Sequence, residues 1–205
     1  MILAIDTSTS ACTAALFGAD GACLGQRDEL IGRGHSERLV PMLDGLLDGR
    51  RADCILVGVG PGSFTGIRVG IAAAHGLAIG WNAQIAGLSS LALLAAGAER
   101  SGAVAVAVQG GHGELFVQQF DGDPLSAVTP LLNLPPADAA TGISAELVVG
   151  SGAAALVQAR GWGTAIEAWP SAADALSLAE PFRSLPAKPF YARAPDARAR
   201  AREAA

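Results

Sequence analysis

The sequence has little charge, few aromatic residues and few cysteines for its length. Only 16% of its 205 residues are charged and 5% are aromatic, whereas 51% are hydrophobic, which excludes intrinsic disorder for most of the chain. Its three cysteines, Cys12, Cys23 and Cys54, have no Cys-x-x-Cys spacing, so zinc binding and thioredoxin-like chemistry have no support. The net charge of −5 argues against a protein that binds nucleic acid without a partner.

A stretch without charged residues, Val69–Ala98, is the one candidate for a membrane span. A spanning helix needs about 20 apolar residues, but glycines and polar residues such as His75 and Asn82 interrupt this stretch. It is therefore predicted to form a helix, a strand and a second helix inside a soluble core. The first residues lack a basic segment and include Asp6, so no signal peptide is expected and a cytoplasmic location is predicted.

Alternating strand and helix patterns predict an α/β protein. Three strands are expected near the start, at Ile2–Ile5, Cys12–Phe17 and Ala22–Asp28, with a polar turn after the first. A helix capped by Ser36 should follow, because one helical stripe is formed by Leu39, Val40, Leu43, Leu46 and Leu47.

A buried parallel strand is expected at Ile55–Val59, and a second helix, lined with small residues, should end near Ile79. Ser171 and Asp174 are typical of a capping box for a helix to Ala179. Residues 1–100 are predicted to form a first lobe, 101–193 a second lobe poorer in helix, and 194–205 a flexible, Arg-rich tail.

Two segments carry candidate chemistry. Asp6, Thr7 and Ser8 end the first strand, where an α/β site places metal-facing or phosphate-facing groups, but the favoured interpretation of Asp6 is that it simply caps the turn by bonding backbone N–H groups. The second segment joins a strand to a helix N-terminus, which favours anions, and an equally weighted interpretation is a tight strand-to-helix turn. Its motif residues are Gly60, Pro61, Gly62, Ser63, Thr65, Gly66 and Arg68.

The chain offers little that would support catalysis. The glycine segment is neither a Walker A loop, nor Gly-x-Gly-x-x-Gly, nor a Gly-x-Ser-x-Gly elbow. His35, His75 and His112 share no ligand spacing, so no metal and no cofactor are predicted. No Ser–His–Asp set has local support either, and no catalytic residue is assigned.

The sequence resembles the bacterial TsaB family in three blocks and a C-terminal patch. The blocks are Ile5-Asp6-Thr7-Ser8, the segment from Gly34-His35-Ser36 to Leu43, and Gly60-Pro61-Gly62-Ser63-Phe64-Thr65-Gly66-Ile67-Arg68-Val69-Gly70, and the patch is Pro189–Arg193. The resemblance covers most of residues 1–100 and patches of the rest. It implies an actin-like ATPase (ASKHA) fold with two RNase H-like lobes, the second reduced.

The resemblance also implies a function. TsaB-like proteins are non-catalytic subunits that pair with a TsaD catalytic subunit, joined by a TsaE ATPase, to place threonylcarbamoyl on N6 of adenosine 37 of tRNA. They use the first-lobe helices for pairing and tend to form homodimers through the same face when alone. Contact with tRNA is expected only through the complex, and no membrane partner is expected.

An apolar surface on the two first-lobe helices agrees with that role. Leu39 and Leu43 are predicted to be buried between subunits. The full set assigned to partner binding is His35, Ser36, Leu39, Val40, Met42, Leu43, Leu46, Phe64, Ile67, Gly70, Ile71 and Ala74.

The sequence departs from the family after the first strand of the second lobe. Many members have Asp-Ala-Arg there, but this chain has Gln109-Gly110-Gly111, and Gln109 cannot act as a carboxylate. An ASKHA-type small-molecule kinase or ATPase is the alternative function. It would use a degenerate nucleotide site made of Asp6, Thr7, Ser8, Gly150 and Gly152. A peptidase is a third class, but no nucleophile–base pair supports it.

Overall fold

Two mixed sheets form the frame of the protein in a computed structural model that describes residues 1–191; the tail predicted at 194–205 lies outside this range. The first sheet has the order β3-β2-β1-β4-β5, in which β2 is antiparallel to β1 and β3, and β1, β4 and β5 are parallel. Its strands are β1 Ile2–Asp6, β2 Ala11–Phe17, β3 Cys23–Leu30, β4 Cys54–Gly58 and β5 Gln84–Leu88.

Three helices cover the two faces of this sheet. α1 (His35–Leu47) and α2 (Phe64–Trp81) pack on one face, where Leu3 and Ile5 of β1 point into their core. α3 (Ser90–Ala96) packs on the opposite face, together with Ala4 of β1. Successive residues of β1 thus serve opposite faces, as the period of two in a strand requires.

The second sheet repeats the order of the first. β6 is antiparallel to β7 and parallel to β10, β10 is parallel to β11, and β8 and β9 pair with the far edge of β7. Its strands are β6 Val104–Gln109, β7 Leu115–Asp121, β8 Ser126–Ala127, β9 Leu132–Leu134, β10 Leu147–Val149 and β11 Thr164–Ile166.

The second lobe is reduced in its helices. α4 (Pro136–Gly142) and α5 (Ala153–Arg160) have seven and eight residues, whereas α1 and α2 have 13 and 18. After β11 the chain returns to the first lobe through a 3-10 helix, Ala172–Ser177, and α6, Glu180–Arg183. The predicted class, α/β with two lobes and a smaller second lobe, is confirmed.

Two local predictions were wrong. α1 begins at His35 after Gly34, which has a φ of 89° and makes no side-chain cap, so Ser36 lies inside the helix. The segment after Ser171 is a 3-10 helix that ends at Ser177. Ser171 does accept a bond from the Ala173 amide, but the tighter turn does not continue into the α-helix expected up to residue 179.

The uncharged stretch from Val69 to Ala98 does fold as a helix, a strand and a helix, as predicted. α2 ends at Trp81, β5 forms one edge of the first sheet, and α3 is buried. Within residues 1–191, no helix combines the length and hydropathy that crossing a membrane requires.

Candidate functional site

The turn after β1 is closed by its own hydrogen bonds. Asp6 Oδ1 accepts bonds from the Ser8 amide and hydroxyl, both at 2.7 Å, and Asp6 Oδ2 accepts one from the Ser90 hydroxyl at 2.5 Å. Burial raises the pKa of the Asp6 carboxyl, and the bonds from Ser90 and Ser8 oppose that rise. The carboxylate thus caps its own turn and ties β1 to α3.

The glycine segment lets α2 begin directly against this turn. A Cβ at Gly66 would lie 2.1 Å from the Thr7 carbonyl oxygen, and one at Gly62 would lie 2.0 Å from the Ser8 carbonyl oxygen. The Thr7 hydroxyl donates to the Gly66 carbonyl at 2.7 Å, and the Ser63 amide donates to the Ser8 carbonyl at 2.6 Å. Both contacts bring the polar atoms of the turn against the helix.

The remaining motif residues complete a strand-to-helix turn. Gly60 has a φ of 99°, and its carbonyl accepts a bond from the Ser90 amide at 3.1 Å. Pro61 is buried, and Ser63 caps α2 by accepting a bond from the Gly66 amide at 3.1 Å. Gly70 packs on Thr7, while Thr65 and Arg68 are exposed. The bonds to the turn favour the structural interpretation of this motif.

The residues predicted for a degenerate nucleotide site are mostly engaged in packing, although Ser8 lines the cleft between the lobes. Asp6, Thr7 and Ser8 are at most 1% exposed, so their side chains present almost no surface to a phosphate. A Cβ at Gly150 would lie 2.4 Å from the Ala107 carbonyl oxygen, and the Gly152 amide donates to that same oxygen. These two glycines therefore pack α5 on β6, because only a residue without a side chain fits so close to the strand.

Most of the predicted partner-binding residues are buried within this chain. Leu39 is fully buried, and Leu43 and Leu46 are 4% and 3% exposed in the core that α1 and α2 share with the first sheet. The prediction that Leu39 and Leu43 are buried between subunits is corrected, because their stripe is the face that α1 needs for its own lobe. His35, Met42, Ile67, Gly70, Ile71 and Ala74, also assigned to partner binding, are likewise buried within this chain.

Of the predicted set, Ser36, Val40 and Phe64 remain exposed. His35 Nε2–H donates to the Ala11 carbonyl at 3.1 Å, so it anchors the start of α1 to β2. Phe64 does not lie beside Val40: it lies at the start of α2, on the cleft between the lobes. The exposed residues of the predicted partner-binding set therefore lie on separate surfaces, with Val40 on α1 and Phe64 on the cleft between the lobes.

An apolar groove of about 430 Å³ runs between α1 and α2. Val40 lies on it with 63% of its surface exposed, and Leu43 is the other predicted partner-binding residue that lines it. The rest of the lining was missed by the sequence reasoning and consists of Asp44, Leu47, Gly49, Arg50, Arg51, Ala73, Gly76, Leu77 and Trp81.

A second helical stripe on α2 is the sequence feature that indicates this part of the groove. Val69, Ala73, Gly76, Leu77 and Gly80 recur along α2 at helical spacing, on a different side from the buried Ile67, Ile71 and Ala74 stripe. Because Gly76 and Gly80 have no atom within 4 Å of a Cβ position, α2 offers a shallow surface that another helix can approach closely.

The described residues contain no cluster of side chains that could bind a metal ion. Over residues 1–191, no three His, Cys, Asp or Glu side chains are grouped so that they could hold an ion. Burial raises the pKa of the Cys12 thiol to about 11, so the inert thiol form predominates there at neutral pH.

The repeated strand order of the two sheets and the cleft between them define the class of protein. It is an α/β protein of the actin-like ATPase type, in which the turn after β1 is packed against α2.

Comparison with known proteins refines this class. A family model described as "TsaD: tRNA N6-adenosine threonylcarbamoyltransferase" matches residues 26–125. The "tRNA threonylcarbamoyladenosine biosynthesis protein TsaB" of Escherichia coli K12 is 39% identical over 130 residues, which are 60% of this chain and 55% of that protein. The chain thus spans about half the length of this curated relative.

Two solved structures match nearly the whole fold. "YeaZ from Pseudomonas aeruginosa" is 32% identical with a TM-score of 0.79, over 93% of this chain and 98% of that one. An uncharacterized protein described as similar to peptidase YEAZ from Pseudomonas aeruginosa is also 32% identical, with a TM-score of 0.81, over 94% and 99% of the two chains. The chain belongs to the TsaB (YeaZ) family.

Proposed function

We propose that this protein is a non-catalytic scaffold or activating subunit in the biosynthesis of threonylcarbamoyladenosine on tRNA. It pairs with a TsaD-type catalytic subunit, joined by a TsaE-type ATPase, in the cytoplasm. Family membership supports the pathway, since the curated relative is named for it. The bonds of the Asp6 and Thr7 side chains to neighbouring residues support a role without phosphoryl transfer, because both side chains are buried and already hydrogen-bonded.

The groove between α1 and α2 is the observation on which the pairing proposal depends. Its lining is mainly apolar, and Val40 remains well exposed beside it. An exposed apolar patch rimmed by charged residues, here Asp44, Arg50 and Arg51, is typical of a protein–protein contact. The partner's own helices fit this groove, and a second copy of the chain occupies it when the partner is absent.

Light scattering of Val40→Glu tests this proposal. A carboxylate placed in the interface must lose water without gaining a partner, so we expect at least about a tenfold loss of affinity, equivalent to about 1.4 kcal/mol, for the TsaD-type protein. The self-dimer should weaken with it. Val40 is exposed, so stability should change little.

Val128→Glu is the matched control, because Val128 is 54% exposed but belongs to the second lobe. This variant should pair normally. If the unmodified chain does not form a complex with a TsaD-type protein at micromolar concentration, the proposed function is wrong. If Val40→Glu pairs as well as Val128→Glu, the function stands and the groove is not the interface.

The kinase or ATPase alternative stays a prediction with a simple test. ATP turnover by the isolated chain would favour it, and the burial of Asp6 and Thr7 argues against that outcome.

A further inference from the structure

A cleft of about 990 Å³ lies between the two lobes, on a different part of the surface from the α1–α2 groove. The first lobe contributes Ser8, Thr9 and Ser10 of the turn after β1 together with Arg33, Phe64 and Arg68, and the last described residues contribute Phe190 and Tyr191. The opposite wall comes from the second lobe and includes Gln109, His112, Phe116, Ser151 and Trp169.

The charge of this cleft opposes that of the whole protein. Arg33 and Arg68 line it, and no Asp or Glu among residues 1–191 does, although the full chain has a net charge of −5. Neither arginine forms an ion pair with a described residue, whereas Arg38 is paired with Glu29. Two unneutralised guanidinium groups in one cleft favour an anionic ligand.

An exposed stack of planar groups lies in the same cleft. The Arg68 guanidinium carbon is 3.3 Å from the centre of the Phe64 ring and 5.5 Å from that of Tyr191. The two rings are 5.7 Å apart and are tilted by 30°. Phe64 and Tyr191 are 59% and 48% exposed, so neither ring is needed to fill the core.

Single-stranded RNA has the chemistry that this surface recognises. Unpaired bases stack on aromatic rings and on arginine planes, and arginines neutralise the phosphates that link them. A free mononucleotide fits less well, because small-ligand sites usually bury 70–90% of the ligand, whereas this platform is open. The Asp6 carboxyl, which would face the phosphates of a mononucleotide, is already bonded at both oxygens to Ser8 and Ser90.

We propose that the cleft between the lobes binds an unpaired segment of RNA, with a base on the Phe64–Arg68–Tyr191 stack and phosphates on Arg33 and Arg68. The proposal rests on the proposed function only in so far as that function brings the chain to tRNA. It assigns this subunit a direct contact with RNA, in addition to the contact made through its partner.

Fluorescence anisotropy with the full chain tests the proposal. The probe is a labelled RNA hairpin with a single-stranded loop, compared at low salt with a fully paired duplex of the same stem and with AMP and ATP. The hairpin should bind more tightly than the duplex or either mononucleotide. Phe64→Leu, which removes the ring but keeps an apolar side chain, should weaken hairpin binding about tenfold.

The double variant Arg33→Ala with Arg68→Ala tests the phosphate contacts. It should weaken hairpin binding and reduce the salt dependence of log K by about 1.4, since each contact to a single strand contributes about 0.7. Arg27→Ala with Lys188→Ala is the control, because it removes the same charge from exposed positions outside both the cleft and the α1–α2 groove. The control should keep most of the affinity.

Several results would overturn the proposal. These are no binding of the hairpin, equal binding of the duplex, an equal loss in the control, or AMP or ATP binding that depends on the same arginines. A polyglutamate peptide that competes as well as RNA of equal charge would show that the cleft recognises negative charge alone. Pairing with the TsaD-type protein, measured by light scattering, is the separate readout: the Arg33 and Arg68 double variant should pair normally, and failure of pairing in the unmodified chain would count only against the proposed function.

Discussion

At the scale of single residues, Gly66 is where two distant parts of the chain meet. Its carbonyl accepts a bond from the Thr7 hydroxyl, 59 residues away, and its missing Cβ leaves room for the Thr7 carbonyl. Gly76 lies in the same helix, but nothing lies within 4 Å of its Cβ position. Gly66 is thus needed for close packing of α2 on the turn after β1, whereas Gly76 only leaves the outer surface of α2 shallow.

Gly66→Ala is expected to destabilise the protein, because backbone on the β1 turn must move to admit a methyl group. Overpacking of this kind costs about 1–3 kcal/mol. Gly76→Ala should instead stabilise the chain by about 0.5–1 kcal/mol, since alanine is the better helix former and the site is open. Urea unfolding of both variants measures the difference. Equal effects of the two substitutions would contradict the close approach at Gly66.

At the scale of elements, α1 has one stripe for its lobe and another for solvent. Leu39 is fully buried and the adjacent Val40 is 63% exposed, so the edge of the buried stripe lies between these two neighbours, which are about 100° apart around the helix. The sequence shows the apolar stripe clearly, but the stripe alone does not tell whether it meets the same chain or another. The structure assigns it to the same chain.

Leu39→Ala should therefore cost about 2–5 kcal/mol of stability, because it leaves a cavity between α1 and the sheet. Val40→Ala should change stability by no more than about 0.5 kcal/mol, as is usual for an exposed side chain. Chemical denaturation of the two variants provides the comparison. A stable Leu39→Ala chain that fails to pair would restore the interface role originally predicted for Leu39.

At the scale of the whole molecule, the two lobes share a core. α3 lies between the sheets, and its Leu91 and Leu93 belong to one buried cluster with Val106 of β6 and Leu56 of β4. Phe182, near the end of the described chain, packs edge-on against Phe120 of β7 with ring centres 5.7 Å apart. One hydrophobic core thus contains residues from both sides of the boundary predicted near residue 100.

Residues 1–191 are expected to unfold as one cooperative unit. Leu156 is fully buried in a cluster made by the second lobe alone, so Leu156→Ala weakens that lobe directly. If the lobes are coupled, amide exchange should accelerate by the same factor in β1 and in β6. Val128→Ala, on the surface, should leave both unchanged. Faster exchange in β6 with unchanged exchange in β1 would show two independent domains.

Local patterns in the sequence are sufficient to predict most elements of the first lobe and the α/β class, and its motif blocks indicate the family. Short apolar strands, a polar turn after β1 and a glycine segment before α2 are encoded within a few residues of each other, and local patterns of this kind are legible without the fold. They placed the first-lobe strands and both long helices nearly where the structure has them.

Which surfaces are free depends on how the elements pack together. α2 is apolar or small on most of its circumference, so its core face and its outer face look alike in the sequence, and burial depends on where the sheet lies. The Phe64–Arg68–Tyr191 stack joins residues more than 120 positions apart, and the polar turn at Asp6 is closed by Ser90 from α3. Contacts between residues so far apart along the chain arise from packing, which no local pattern records.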